Sequence, residues 1–179
     1  MSLENRWTVE QRYRRLEQIP QCDIEEMTLS RQQDKGFPSF HIAPRFGLLN
    51  DPNGLCYFNG EHHIFYQWTP VGPVHGMKYW YHLSTKDFIH FKDHGVGLHP
   101  DQDYDSHGVY SGGALVENNK ALLFLLATSV TKTGIESQHS VLPPWIQTAT
   151  LKSMVWSLRT NITRSTFVIQ KFGRKATTI

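Results

Sequence analysis

The sequence predicts an all-β fold, a sandwich, barrel or propeller, preceded by a short α-helix. Three observations predict it. Strand-like runs occur in pairs, and a polar turn joins the two members of each pair. One of those turns is Asn59-Gly60, the strongest short hairpin signal, because both residues tolerate the positive φ that a type I′ turn needs. Helical periodicity is confined to the segment that ends near Ile19.

The elements follow in chain order. Ser2 can cap an N-terminal helix in which Trp7, Tyr13, Leu16 and Ile19 share one face and charged residues fill the other. Such a helix lies against a larger body. From His41 the period changes to that of strands. Residues 55–58 and 62–68 flank the Asn-Gly turn. Residues 78–84 and 88–91 flank Thr85-Lys86-Asp87, and 109–116 and 121–124 flank Glu117-Asn118-Asn119-Lys120.

Composition narrows the function classes. With 39% hydrophobic and 19% charged residues the chain reads as one globular domain. A net charge of +2 gives no reason to expect a nucleic-acid partner. No apolar run is long enough to span a membrane, and the N-terminus has no apolar signal core. Cys22 and Cys56 do not make a disulfide framework, so a cytoplasmic location is expected. His62, His63, His90, His94 and His99 lie in one region, but His90 and His94 share a face only on a helix and the region reads as strand. No metal and no other cofactor is expected.

After Phe124 the composition breaks. Residues 125–179 contain no Asp or Tyr, one Glu (Glu136), seven Lys or Arg, ten Thr and six Ser. The net charge is −4 up to Phe124 and +6 after it, which together give the +2 of the whole chain. No strand alternation or helical stripe is sustained there. The plainest reading is a basic, Thr-rich disordered tail.

The chemistry concentrates in Asn50-Asp51-Pro52-Asn53-Gly54. Asp-Pro-Asn-Gly is a good β-turn sequence. It can equally present Asp51 as a rigid carboxylate, since Pro52 fixes φ and removes a donor. Context favours the second reading. Gly47-Leu48-Leu49 precedes the motif, and Phe65-Tyr66-Gln67 follows it. Tyr79-Trp80-Tyr81-His82-Leu83-Ser84-Thr85-Lys86-Asp87 and Gly108-Val109-Tyr110-Ser111-Gly112-Gly113-Ala114 come next. In this order the motifs, over residues 37–124, resemble glycoside hydrolase family 32, the invertases and sucrose-6-phosphate hydrolases.

The resemblance implies the N-terminal part of a five-bladed β-propeller, about one blade and part of a second. It implies a retaining β-fructofuranosidase-type hydrolysis of a small sugar, sucrose or its 6-phosphate, in which Asp51 is the nucleophile. That chemistry needs a second carboxyl roughly 5–5.5 Å away as acid/base. Leu48, Leu49, Asn50, Gln67, Tyr110 and Ser111 take the places of substrate-binding residues. Tyr110 and Ser111 stand where the family has Phe-Ser-Gly, and Trp80-Tyr81-His82 stands where many members have Trp-Gly-His.

Two later motifs of the family, Arg-Asp-Pro and the Glu-Cys that supplies the acid/base, are absent as written. A base lost just after the Phe124 codon accounts for the first. Each restored codon is then the last base of one written codon and the first two of the next. Written FLLATSVTKTGIE can then arise from FYTGNVRDENWNR, PPWIQTA from AMDTNG, and STFVIQKFGRK from HFRDPKIWKE. The sequence therefore divides into a helical extension over 1–36, a partial propeller over 37–124, and an out-of-frame or disordered tail over 125–179. In such a tail Trp145, Trp156 and Phe167 are expected to be poorly buried.

Overall fold

The computed structural model describes residues 7–117, 120–130, 136–140 and 167–172. It is built mainly of antiparallel strands. Helix α1 (Val9–Arg12) is short and starts at Thr8, whose Oγ1 accepts from the Gln11 amide while Gln11 Oε1 accepts from the Thr8 amide. The helix expected to run to Ile19 is interrupted. It ends at Arg12, with Tyr13 at φ −98° and ψ 16°, and only a 3-10 turn at Leu16–Gln18 follows before Pro20 keeps Ile19 extended at φ −79° and ψ 123°. A longer helix, α2 (Gln21–Gln33), begins after that proline. The proposed Ser2 cap lies outside the described residues.

Four strands form the first sheet: β1 (Leu48–Phe58), β2 (Glu61–Thr69), β3 (Tyr79–Thr85) and β4 (Phe91–Leu98). They pair in chain order as an antiparallel meander, which is the form of a propeller blade. The Asn59-Gly60 hairpin is present, with φ 51° and 79° at the two turn residues. The last strand begins later than the sequence suggested. Thr85 Oγ1 accepts from the amides of Asp87 and Phe88, and Asp87 Oδ1 from those of Ile89 and His90. These side-chain bonds compete with the ladder and lengthen the turn, so β4 starts only at Phe91.

Strands β5 (Gly108–Glu117) and β6 (Lys120–Val130) open a second sheet. Two further strands, β7 (Glu136–Ser140) and β8 (Phe167–Phe172), line the far edge of β6. Strand β7 pairs with 126–130 and β8 with 121–125. The second sheet therefore reaches further than the part of a blade expected. Trp145, Trp156 and the side chain of Phe167 lie outside what is described.

Both faces of the first sheet are covered. Phe65, Trp80 and Leu98 meet Val109, Leu123, Leu125 and Ala127 between the two sheets. On the opposite face Tyr66, Trp68, Tyr79 and Tyr81 form an aromatic layer covered by Tyr13, Leu16, Ile42 and Phe46. Double coverage explains why β3 is buried along its whole length and shows no polar alternation. The N-terminal segment thus packs on the body, as its apolar face implied, with Ile19, Val71 and Val74 extending the contact beside Trp7 and Ile24.

Candidate active site

Asp-Pro-Asn-Gly is no turn here. It lies inside β1, where the register with β2 shifts between Leu49 and Pro52 and again between Asn53 and Cys56. Such bulges re-aim a side chain without ending the strand. Gly54, at φ +58°, completes the distortion, and a Cβ there would stand 2.8 Å from the Trp80 ring and 3.0 Å from Phe65. The motif is thus laid directly on the core residues of β2 and β3, and Asp51 emerges exposed above it.

A directed chain of hydrogen bonds holds the carboxylate. Asn50 Nδ2 donates to Gln67 Oε1 at 3.1 Å, Gln67 Nε2 donates to Ser111 Oγ at 2.7 Å, and Ser111 Oγ donates to Asp51 Oδ2 at 3.0 Å. With Gln67 Nε2 as donor, the single hydroxyl proton of Ser111 is left for Asp51. Asn53 Nδ2 binds the Asp51 carbonyl oxygen at 3.1 Å. Three strands, β1, β2 and β5, therefore converge on one acid.

The residues expected at the site are not all brought together. Asn50, Asp51, Gln67 and Ser111 are joined directly. Gln67 is only 3% exposed and both ends of its amide are engaged, so it supports Ser111 and Asn50 from beneath. Tyr110 stands beside Ser111, and its carbonyl accepts from Trp80 Nε1 at 3.0 Å. Leu48 and Leu49 lead into the motif; Leu49 packs on the aromatic layer of the first sheet. Trp68 and Trp80 are core residues, 2% and 0% exposed.

Sequence reasoning passed over two residues on the same side of the blade. Lys78, just before β3, is buried with Nζ 4.7 Å from the centre of the Tyr110 ring. Asp105, in the loop before β5, is 2% exposed, and burial pushes its carboxyl up to about 6. Its Oδ1 accepts from the Gln102 amide, so it offers no open face to a substrate. Only burial distinguishes either residue, and burial of one polar side chain leaves no pattern in sequence.

The histidines stack in place of converging. His82 lies between the rings of His94 and Phe65, each 4.3 Å away, and its Nε2 is 2.9 Å from His63 Nδ1. Among the described residues no three His, Cys, Asp or Glu are arranged to hold a metal ion.

A four-stranded antiparallel meander that presents a hydrogen-bonded, exposed carboxylate in its first strand has the form of a propeller blade. Residues 41–161 match the glycosyl hydrolases family 32 N-terminal domain, and the chain belongs to that family. Its sheets are accordingly the N-terminal part of the five-bladed β-propeller found in the family's enzymes. A sucrose-6-phosphate hydrolase of Vibrio alginolyticus is 96% identical over 124 residues, which are 69% of this chain and 26% of that protein. One of Staphylococcus xylosus is 52% identical over 108 residues, 60% of this chain and 22% of that protein. The structure of sucrose-6-phosphate hydrolase from Lactobacillus gasseri superposes with a TM-score of 0.72 at 34% identity, over 77% of this chain and 32% of that one. The chain spans about a quarter of the length of the curated relatives it matches.

Proposed function

We propose that this chain is the N-terminal portion of a β-fructofuranosidase-type glycoside hydrolase that cleaves sucrose or sucrose-6-phosphate with retention, in the cytoplasm. The observation that carries the reading is the placement of Asp51, an exposed carboxylate fixed by a hydroxyl donor on a neighbouring blade. A fixed carboxylate can attack the anomeric carbon of a fructosyl unit and form a covalent intermediate. Asn50, Ser111 and Tyr110, with Leu48 and Leu49 beside them, form the wall that receives that unit, and Gln67 braces it. The names of the relatives support the substrate class.

The second carboxyl is supplied by the longer enzyme. Without it the double displacement cannot finish, because nothing protonates the leaving oxygen or activates water. The 179 residues alone are therefore inactive, a non-catalytic sugar-binding fragment or the product of a damaged gene. The division into an extension over 1–36, a propeller portion over 37–124 and a distinct 125–179 belongs to the same reading.

The test joins residues 1–124 to the remainder of the Vibrio alginolyticus enzyme. Release of fructose from sucrose and its 6-phosphate is then compared with that of an Asp51→Asn variant, which keeps the shape and loses the attacking charge. Turnover is expected to collapse by orders of magnitude. Wild-type turnover in the variant would remove Asp51 from the mechanism.

A further inference from the structure

We infer that the residues after Phe124 are read in the wrong frame, one base having been lost at the next codon, and that the true chain carries strand β6 onward without a break.

The structure shows where the composition break falls. Strand β6 runs continuously from Lys120 to Val130 and pairs with β5 on both sides of Phe124. Ala121, Leu122 and Leu123 are buried before the break, and Leu125, Ala127 and Thr128 after it. Evolved boundaries between a domain and a tail fall in exposed linkers where few contacts cross. This one falls in the middle of a buried, hydrogen-bonded strand.

A second observation is independent of the fold. The Vibrio alginolyticus protein is 96% identical over 124 residues, 69% of this chain, and those residues take up only 26% of that protein. Gradual divergence does not hold such identity over one part of a chain and lose it over the rest. Loss of a single base does so at one point.

The genetic code then restricts what was lost. The written pair Trp145-Ile146 must restore an Asp, because the last base of a Trp codon is G and an Ile codon begins AT. Lys132-Thr133 can restore only Asn or Asp. Acidic residues therefore return to a segment whose written form has one. Written Leu125-Leu126-Ala127 can restore Tyr-Thr-Gly, and two strand-forming residues in its first positions keep β6 a strand.

The test is to resequence the coding DNA across the Phe124 codon and to map the peptides of the natural protein by mass. The expected result is a frame, opened by one added base, that passes the Ile179 codon without a stop. It encodes residues that continue the 96% likeness at a similar level. The base is either present in the DNA and missed in reading, or absent from it with the shifted frame intact beyond; both results support the inference. The rival reading is that the family match to residue 161 is carried by the written frame. A stop codon in the restored frame before the Ile179 codon would establish that rival. So would restored residues no more like the relative than the written ones.

Discussion

Substitution of Ser111 tests how the carboxylate is held. Ser111→Ala, in residues 1–124 joined to the remainder of the Vibrio alginolyticus relative, removes the donor 3.0 Å from Asp51 Oδ2. It also strips the acceptor from Gln67 Nε2, which is bound at 2.7 Å by a side chain only 3% exposed. A hydrogen bond to a charged group contributes roughly 1.5–3 kcal/mol, and every 1.36 kcal/mol is about tenfold in rate. Asp51 is exposed, so water replaces part of the lost bond and the effect falls toward the lower limit. The expected loss in kcat/KM is therefore on the order of tenfold. Ser111→Thr, which keeps the hydroxyl, should lose less. Steady-state fructose release over a range of sucrose concentrations measures both, with circular dichroism to confirm that the fold is intact. Unchanged kcat/KM in a folded Ser111→Ala protein would show that the chain from Asn50 through Gln67 and Ser111 does not position the acid.

Two further outcomes follow from the packing. The 179-residue chain expressed alone should release no fructose and should self-associate, because Leu55, Tyr57, Leu115 and Val116 on β1 and β5 stay 59%, 60%, 44% and 41% exposed; a soluble monomer with a cooperative thermal transition would contradict this. In the fused enzyme, stability should decline as pH falls from 6.5 towards 3. Burial, with His94 and His63 alongside, holds His82 neutral down to about 3, whereas in the unfolded chain it takes up its proton near 6.5. The unfolded state binds the extra proton within that window, so acid favours unfolding. Urea titrations across the window should show a shallower decline for His82→Gln, and an unchanged slope would exclude His82 as the cause.

The fold was legible where local chemistry and tertiary packing agree. Asn59-Gly60 set its hairpin because the turn needs positive φ at both positions, and the structure supplies it. Strand β3 showed no alternation to read, since both of its faces are buried. The apolar stripe from Trp7 to Ile19 reads as one helix, yet the backbone leaves the helix after Arg12 and the stripe is kept by a 3-10 turn at Leu16–Gln18; α2 is hidden because its apolar residues are sparse. Asp-Pro-Asn-Gly carried a turn signal that the β1–β2 ladder overrides. At the site, the motifs named Asp51, Ser111 and Gln67, but the direction of the bonds among them depends on strand register. Lys78 and Asp105 came to notice only through burial, which no local pattern encodes.

Retention with Asp51 as nucleophile requires that Asp51 become covalently attached to fructose. The direct measurement is to quench the fused enzyme during turnover of sucrose, digest it at low pH and weigh the peptides. A retaining mechanism with Asp51 as nucleophile predicts one added hexosyl unit on the peptide that contains Asn50-Asp51-Pro52, absent from the Asp51→Asn variant. A hexosyl unit on another carboxylate, with that peptide unmodified, would contradict the account.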